Sequence, residues 1–385
     1  FNPAAFGVAY TALVLGLSAS WWVATPLIAP FVLVGGALIV RKIRRADLIV
    51  GFAAGNVIIL VAGALLGLHV VSLASTYQLL VLSPWIFFAT VMLTEPITAP
   101  AERFTHVVYG LLIGILFVPT VHLGAYYFTP ETALLIGNLA VALVASRTKI
   151  SLTLKETVPL AEHTYELVFT PSRPLVFKAG QYVELTVPHD HADSRGIRRY
   201  FTLSSSPTDP TVRFGVKFYE PASTFKQRLR ALKPGDSIVA GQLGGDFTLP
   251  RNVKRKLAFI AGGIGITPFH SQIEYLRERN EMRDIILFYS NAAPEKTSYR
   301  DDIEKAVQAI GLKTVYAYDG MGDAVPEGAV QSITPEVIRD VAPDYRERLF
   351  YISGPDSMVR DMKRKLHKMG VPMAHIKTDY FPGFA

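Results

Sequence analysis

Arg199-Tyr200-Phe201-Thr202 puts a cation, two aromatics and a hydroxyl into four residues of a β-prone stretch, which a Ser-Ser-Ser-Pro turn ends after Leu203. Period-2 alternation places Arg199 and Phe201 on one face and Thr202 on the other. An arginine can pair with a pyrophosphate, an aromatic can cover a flat ring, and a hydroxyl can bond a ring edge. On these residues alone, an ordinary strand with a solvated arginine fits equally well. A second chemical stretch is Ala261-Gly262-Gly263-Ile264-Gly265-Ile266-Thr267-Pro268, which follows the apolar run Leu257-Ala258-Phe259-Ile260. A glycine-rich turn between a buried strand and a helix lets a dinucleotide's phosphates approach backbone amides.

The elements that must position these residues lie in a chain of 385 residues, enough for two or three domains. Its charges are unevenly spread. Up to Ser146 they are Arg41, Lys42, Arg44, Arg45, Arg103, Asp47, Glu95, Glu102 and Glu131, and nearly all the rest follow. This reads as a membrane half joined to a soluble half. The absence of cysteine excludes disulfides, thiolate catalysis and cysteine-ligated iron–sulfur clusters within the chain. A net charge of +7 with both signs mixed, and no basic patch with interleaved aromatics, speaks against nucleic acid as a partner. The first residue is Phe1 rather than Met, which reads as trimming.

Six apolar runs are marked, at Ala5–Trp22, Pro26–Val40, Leu48–Leu68, Leu79–Leu93, Thr105–Leu123 and Thr132–Ser146. Together they predict an α-helical transmembrane bundle over 1–146, with several runs short for a hydrocarbon core of about 30 Å. By the positive-inside rule Arg41-Lys42-Ile43-Arg44-Arg45 lies in the cytoplasm. Counting spans from there puts everything after Ser146 in the cytoplasm too. The expected location is the cell's inner (plasma) membrane, multi-pass, with lipid as a partner.

Three stretches of this half stand out: Phe1-Asn2-Pro3-Ala4-Ala5, Ser72-Leu73-Ala74-Ser75-Thr76, and Thr94-Glu95-Pro96-Ile97-Thr98-Ala99-Pro100. Singly, each also reads as a capped helix end or a loop. Together, with Phe87-Phe88-Ala89-Thr90 ahead of the third, they resemble the membrane subunits of sodium-translocating NADH:quinone reductase (B subunit) and of the Rnf complex (D subunit). That resemblance implies a second flavin, FMN, near Asn2, Thr76, Thr94 and Thr98. Ser72–Thr76 lacks the glycine of the family's attachment motif, so the flavin is expected to be noncovalent. The competing reading is a haem ferric reductase or oxidase. It needs paired histidines, and this half offers only His69, His106 and His122 near predicted helix ends.

After Ser146 the pattern alternates. Strands are expected at 151–157, 164–170, 180–187 and 212–218, besides the opening one, as in a small antiparallel β-barrel over 150–252. One helix is expected at Ser223–Leu232, with Ser223 or Thr224 near its cap. From 254 to 385 strands and helices alternate, as in an α/β doubly wound sheet. The helices fall near Phe269–Arg279, Thr297–Ile310, Pro335–Val341 and Ser357–Met369. The overall expectation is a multi-domain membrane protein.

This half resembles the ferredoxin–NADP reductase superfamily. Arg199-x-Phe201-Thr202 matches its flavin signature, Gly241–Phe247 a following turn, Gly262–Pro268 its nicotinamide-nucleotide turn, and Ser353-Gly354-Pro355 its Cys-Gly-Pro with serine for cysteine. Asp379-Tyr380-Phe381 takes the place of the terminal acidic-x-aromatic segment. The resemblance implies that Arg199 binds the FAD pyrophosphate, Phe201 flanks the isoalloxazine beside Tyr200, and Thr202 bonds near its reactive nitrogen. Val216 and Lys217 would run along the flavin, and Ser223 and Thr224 would bind its diphosphate. Gly262, Gly263, Gly265, Thr267, Gly354 and Pro355 would line the nicotinamide site, with Phe381 near the flavin. Phe201, Thr202 and Ser353 are the residues expected at the reacting atoms.

The function these expectations give is an NAD(P)H-oxidising FAD oxidoreductase. NADH is preferred, with NADPH the alternative, because Asn291 stands where NADP-specific members tend to carry arginine. Electrons would leave through the membrane flavin to a quinone or an extracytoplasmic acceptor. The alternatives are the haem reductase and a membrane-anchored reductase serving a separate redox subunit.

Overall fold

The structure, a computed structural model, describes residues 2–16, 25–43, 45–67, 73–95, 99–100, 103–124, 126–144, 149–322 and 324–381. The chain divides into two compact units, Phe1–Arg147 and Thr148–Ala385.

The first unit is helical: α1 (Pro3–Leu15), α2 (Ala29–Ile43), α3 (Ala46–Leu65), α4 (Leu73–Val81), α5 (Trp85–Phe87), α6 (Arg103–Phe117) and α7 (Pro130–Val144). A short hairpin, β1 (His122–Leu123) and β2 (Tyr126–Tyr127), precedes α7. Helices α3 and α6 touch backbone to backbone. A Cβ at Gly55 would stand 2.4 Å from the Leu111 carbonyl oxygen, and one at Gly114 would stand 2.2 Å from that of Phe52. Phe52, Phe88 and Phe117 fill the space beside this contact.

The expected six-span bundle is overturned. Among the described residues one helix, α3 with 20 residues, is long and apolar enough to cross a membrane. Helices α1 with 13 residues, and α2, α6 and α7 with 15 each, reach only roughly 20–23 Å at 1.5 Å per residue. Hydropathy counts apolar residues and overlooks where the helix stops. Gly16 closes α1 in the left-handed conformation, at φ 66°. The run Leu79–Leu93 is not one helix either. Helix α4 ends at Val81, and Pro84 opens α5, which passes into a π turn at Phe88–Met92.

The second unit begins with a six-stranded antiparallel sheet of β3 (Ile150–Ala161), β4 (Thr164–Pro171), β5 (Tyr182–Thr186), β6 (Arg198–Thr202), β7 (Val212–Lys217) and β8 (Ser237–Gly244), in the order β6-β5-β8-β3-β4-β7. Just past β6, the Ser204 N–H donates to the Arg213 carbonyl of β7 at 2.9 Å, bringing the two edge strands together. Alternate residues such as Leu152, Leu154, Val183, Leu185, Phe214 and Val216 face one core. Helix α8 (Thr224–Arg230) seals it with Phe225 and Leu229.

A five-stranded parallel sheet follows, built of β9 (Leu257–Gly262), β10 (Ile285–Asn291), β11 (Lys313–Tyr318), β12 (Leu349–Pro355) and β13 (Ile376–Phe381), in the order β11-β10-β9-β12-β13. Helices α9 (Thr267–Glu278), α10 (Arg300–Ile310), α11 (Pro335–Val341) and α12 (Asp356–Lys368) cover it. Along β9, Leu257, Phe259 and Ala261 face one core, while Ala258 and Ile260 face the other. That two-sided burial explains the unbroken apolar run. Two strands lie beyond the sequence expectations. Ser237–Gly244 forms β8, and Ile376–Phe381 adds β13 in parallel to β12.

Candidate functional site

A cavity of about 730 Å³ opens where β6 and β7 face the C-terminal ends of β9, β10 and β12. That size lies within the range of roughly 300–1,000 Å³ usual for cofactor sites. Arg199, Tyr200, Phe201 and Thr202 all line it, as do Val216, Lys217 and Ser223. From the α/β side come Gly262, Gly263, Gly265, Thr267, Gly354 and Pro355. Residues more than 150 positions apart in the chain thus meet around one space.

Strand β6 explains the first set. Arg199 and Phe201 both turn toward Phe225 of α8. The guanidinium lies 5.2 Å from that ring's centroid, and the Phe201 ring stacks on it at 5.9 Å and 18°. Tyr200, 54% exposed, donates its hydroxyl to Gln242 Oε1 at 2.6 Å and meets Tyr182 edge-on. Thr202 is buried.

Charge concentrates here. Among the described residues, five cations, Arg195, Arg199, Lys217, Lys226 and Lys296, line the cavity against one carboxylate, Asp319. Lys226 donates to the Lys217 carbonyl at 2.9 Å. Burial, followed by the neighbouring Arg195 charge, holds the Lys226 ammonium below its ordinary value, a cost that an anionic ligand would offset. Lys296 pairs with Glu162 at 3.1 Å, which holds the Glu162 carboxyl low.

The glycine-rich turn has the form of a phosphate cradle. Gly263 takes φ 53°, with open space where a side chain would project. At Gly265 a Cβ would stand 2.5 Å from the Ser353 carbonyl oxygen, so the turn lies directly on the end of β12. Thr267 caps the turn, donating its hydroxyl to the Ile264 carbonyl at 3.1 Å. Cations, an aromatic strand and a bare backbone turn around one cavity fit a flavin dinucleotide beside a nicotinamide dinucleotide.

Other expected residues fall elsewhere. Ser353 is fully buried, its hydroxyl has no hydrogen-bond partner, and it does not line the cavity. Thr224 turns its hydroxyl to the Asp193 N–H at 3.0 Å and to His189 Nε2 at 3.1 Å. Ser223 caps α8 by accepting from the Lys226 N–H at 3.4 Å. The backbone of Phe381 pairs with Pro355 on β12.

In the helical unit Asn2 caps α1, and its side-chain amide donates to Glu95 at 2.7 Å. Asn138 joins them, accepting from the Asn2 N–H at 2.7 Å and donating to the Tyr109 hydroxyl at 2.6 Å. Thr94 spends its hydroxyl on the Thr90 carbonyl of its own helical turn, at 2.8 Å. Thr76 is exposed on α4, and Thr98 lies outside the described residues. His106 is engaged at both nitrogens, by Asp47 at 2.8 Å and the Pro100 carbonyl at 2.9 Å. His122 bonds the nearby Gly124 carbonyl, and His69 lies outside the described residues.

Sequence reasoning missed Arg195, Lys226, Asp319 and Met358. Only the basic run through α8 hinted at Lys226. Asp319 reaches the cavity because β11 ends beside β10.

Residues 259–364 match the family described as the oxidoreductase NAD-binding domain. A flavohemoprotein of Bacillus subtilis (strain 168) is 29% identical over 219 residues, covering 54% of this chain and 53% of that one. NADH-cytochrome b5 reductase 1 of Emericella nidulans is 26% identical over 232 residues, covering 57% of this chain and 74% of that one. The chain thus spans about half the length of the flavohemoprotein it matches. Among solved structures, the flavohemoglobin of Malassezia yamatoensis with bound FAD and haem superposes with a TM-score of 0.55 at 16% identity, covering 80% of this chain and 78% of that one. Residues 259–364 thus form an oxidoreductase NAD-binding domain, within a C-terminal region similar to flavin- and nicotinamide-dependent reductases.

Proposed function

We propose that the protein oxidises NADH at its FAD domain and hands the electrons to a separate redox partner. The observation that carries this reading is the single cavity shared by the Arg199–Thr202 strand and the Gly262–Thr267 turn. When bound in this cavity, FAD and a nicotinamide dinucleotide would supply hydride-transfer chemistry. Arg199 and Lys226 would hold the diphosphate, Phe201 would shield one side of the ring system, and Thr202 would bond its edge. Gly263 and Gly265 let the nicotinamide dinucleotide lie against the backbone. Hydride transfer is the cofactors' chemistry, so the reading assigns no general acid or base among the described residues.

Asp319 and Asn291 favour NADH. Both line the cavity at the ends of β11 and β10, and a carboxylate there suits a ribose hydroxyl and repels a 2′-phosphate. A redox partner is supported by the NADH-cytochrome b5 reductase, whose name says that it reduces cytochrome b5.

Anaerobic titration of the purified protein tests the reading. One FAD per chain should be released on denaturation, and NADH should bleach the flavin absorbance faster than NADPH does. Protein that binds no flavin, or whose flavin neither nucleotide reduces, refutes it.

A further part of the proposal is contact of the helical unit with lipid at the inner (plasma) membrane, with the FAD domain in the cytoplasm. Leu27, Phe31, Leu65 and Leu143 expose 81, 76, 82 and 74% of their surface, which water disfavours. Co-flotation with phospholipid vesicles is expected. Protein left at the bottom of the gradient without detergent argues against it.

A further inference from the structure

Behind the cavity wall lies a buried polar cluster to which the proposed function gives no task. Glu166 of β4, 6% exposed, sits opposite Gly215 of β7 in the ladder. Its Oε1 accepts from the Ser204 hydroxyl at 3.0 Å and from the Tyr299 hydroxyl at 2.9 Å, and Arg213 stands 3.6 Å from Oε2. Tyr299 comes from the α/β part, just ahead of α10. It is held in the left-handed conformation at φ 58°, rare for an aromatic residue and found where the surroundings enforce it. Its ring stacks on His270 of α9 at 3.9 Å. His270 Nδ1 donates to the Ser204 carbonyl at 2.8 Å, and Nε2 faces Asp302 at 3.2 Å.

The cluster touches both halves of the site. A Cβ at Gly215 would stand 2.6 Å from the Tyr299 hydroxyl oxygen and 2.7 Å from Thr267 Cγ2, and Gly215 and Thr267 both line the cavity. The barrel strand expected to run along the flavin is therefore pressed against the turn expected to hold the nicotinamide, with Tyr299 wedged behind the contact.

We propose that Tyr299, fixed by Glu166 and His270, is a positioning residue that sets the separation between the flavin strand β7 and the nicotinamide turn Gly263–Thr267. Apolar contact alone allows two sheets to slide. A buried carboxylate that needs its donors in place has one good arrangement, because an unmet acceptor in a low-dielectric interior is costly. A misplacement of about 1 Å between reacting groups can cost roughly a hundredfold in rate, so a fixed separation has kinetic value. The proposal rests on the reductase reading for its kinetic consequence only. The contact itself is a property of the chain.

The test compares Tyr299→Phe, which removes one hydroxyl, with Glu166→Gln, which keeps an acceptor oxygen for Tyr299 and Ser204. Flavin reduction by NADH in stopped flow is expected to slow about tenfold in Tyr299→Phe, with the NADH KM changed less than about twofold. Its isotope effect with deuterated NADH should become more temperature-dependent. Amide hydrogen exchange at 214–217 and 264–267 should rise in the protein without nucleotide. Glu166→Gln should keep most of the wild-type rate and protection. If Tyr299→Phe does not fold, Ser204→Ala carries the same measurements and expectations. Wild-type rate and protection in the variant, with only a lower Tm, would show that Tyr299 is structural and overturn the proposal. Amide exchange reads the contact without any cofactor, so a failure of the reductase reading is told apart from a failure of this one.

Discussion

Arg199 Nη2 donates to Asp193 Oδ1 at 3.0 Å, so the cation that opens the flavin strand is already held by a carboxylate of the preceding loop. Its Nη1 also reaches the carbonyls of Arg195, Gly196 and Arg198, which aims the guanidinium. Burial alone would raise the Asp193 carboxyl. The Arg195 N–H and the Arg199 and Arg195 charges outweigh it and keep the group ionised. Arg199→Ala is expected to weaken FAD binding at least about tenfold, or about 1.4 kcal/mol, the loss of one charge-assisted bond. Asp193→Asn should tighten binding, because a competing anion is gone. Quenching of flavin fluorescence by the apoprotein measures both, and unaltered affinity in Arg199→Ala takes the arginine off the diphosphate.

On the proposed reading, the Asp319 carboxylate sets the preference for NADH. Removing its carboxylate in Asp319→Ala lifts the repulsion of a 2′-phosphate. The ratio of kcat/KM for NADH over NADPH should fall about tenfold, the scale of one charge pair near a protein surface. Steady-state kinetics with both nucleotides give the ratio. An unchanged ratio would place the ribose elsewhere.

Gly265→Ala pushes a methyl group to 2.5 Å from the Ser353 carbonyl oxygen and 2.6 Å from Gly354 Cα. Both neighbours are backbone and cannot swing away. A destabilisation of about 1–3 kcal/mol and a raised KM for NADH are expected. Thermal melting and steady-state kinetics check them, and a melt that matches wild type contradicts the close approach.

Arg348, 4% exposed, ties the far end of the parallel sheet together. It donates to Asp284 at 2.7 Å, to Asp344 at 2.7 Å and to the Leu257 carbonyl at 3.1 Å. Arg348→Ala should cost about 3 kcal/mol in urea unfolding. Burial pushes the Asp344 carboxyl up, but Arg348 and Lys256 pull it below its ordinary value. A depressed carboxylate contributes stability above its unfolded pKa and loses it as pH falls through the folded one. The gap between wild type and Arg348→Ala should therefore narrow as the pH drops below the usual carboxylate range. A gap independent of pH would mean that the ion pairs are not its source.

Some of this was legible in residue patterns because its causes are local. Alternation marked β4 and β7, the unbroken apolar run marked β9 as buried on both faces, and the glycines of 262–265 marked a strand-to-helix turn. The helical unit was misread because hydropathy records what a segment is made of. It does not record where Pro84 or Gly16 ends the helix.

The sequence by itself determined the two chemical stretches, Arg199–Thr202 and Gly262–Thr267, and the order of elements around them, since strand period, turn glycines and helix caps act over a few residues. Only the tertiary structure decided that the two stretches share a cavity, that Asp319 and Lys226 join it, that Thr224 and Ser353 do not line it, and that Tyr299 reaches Glu166 from 133 residues away. Those are contacts between distant segments, made when the closing barrel and the parallel sheet bury their faces, and no local propensity encodes them.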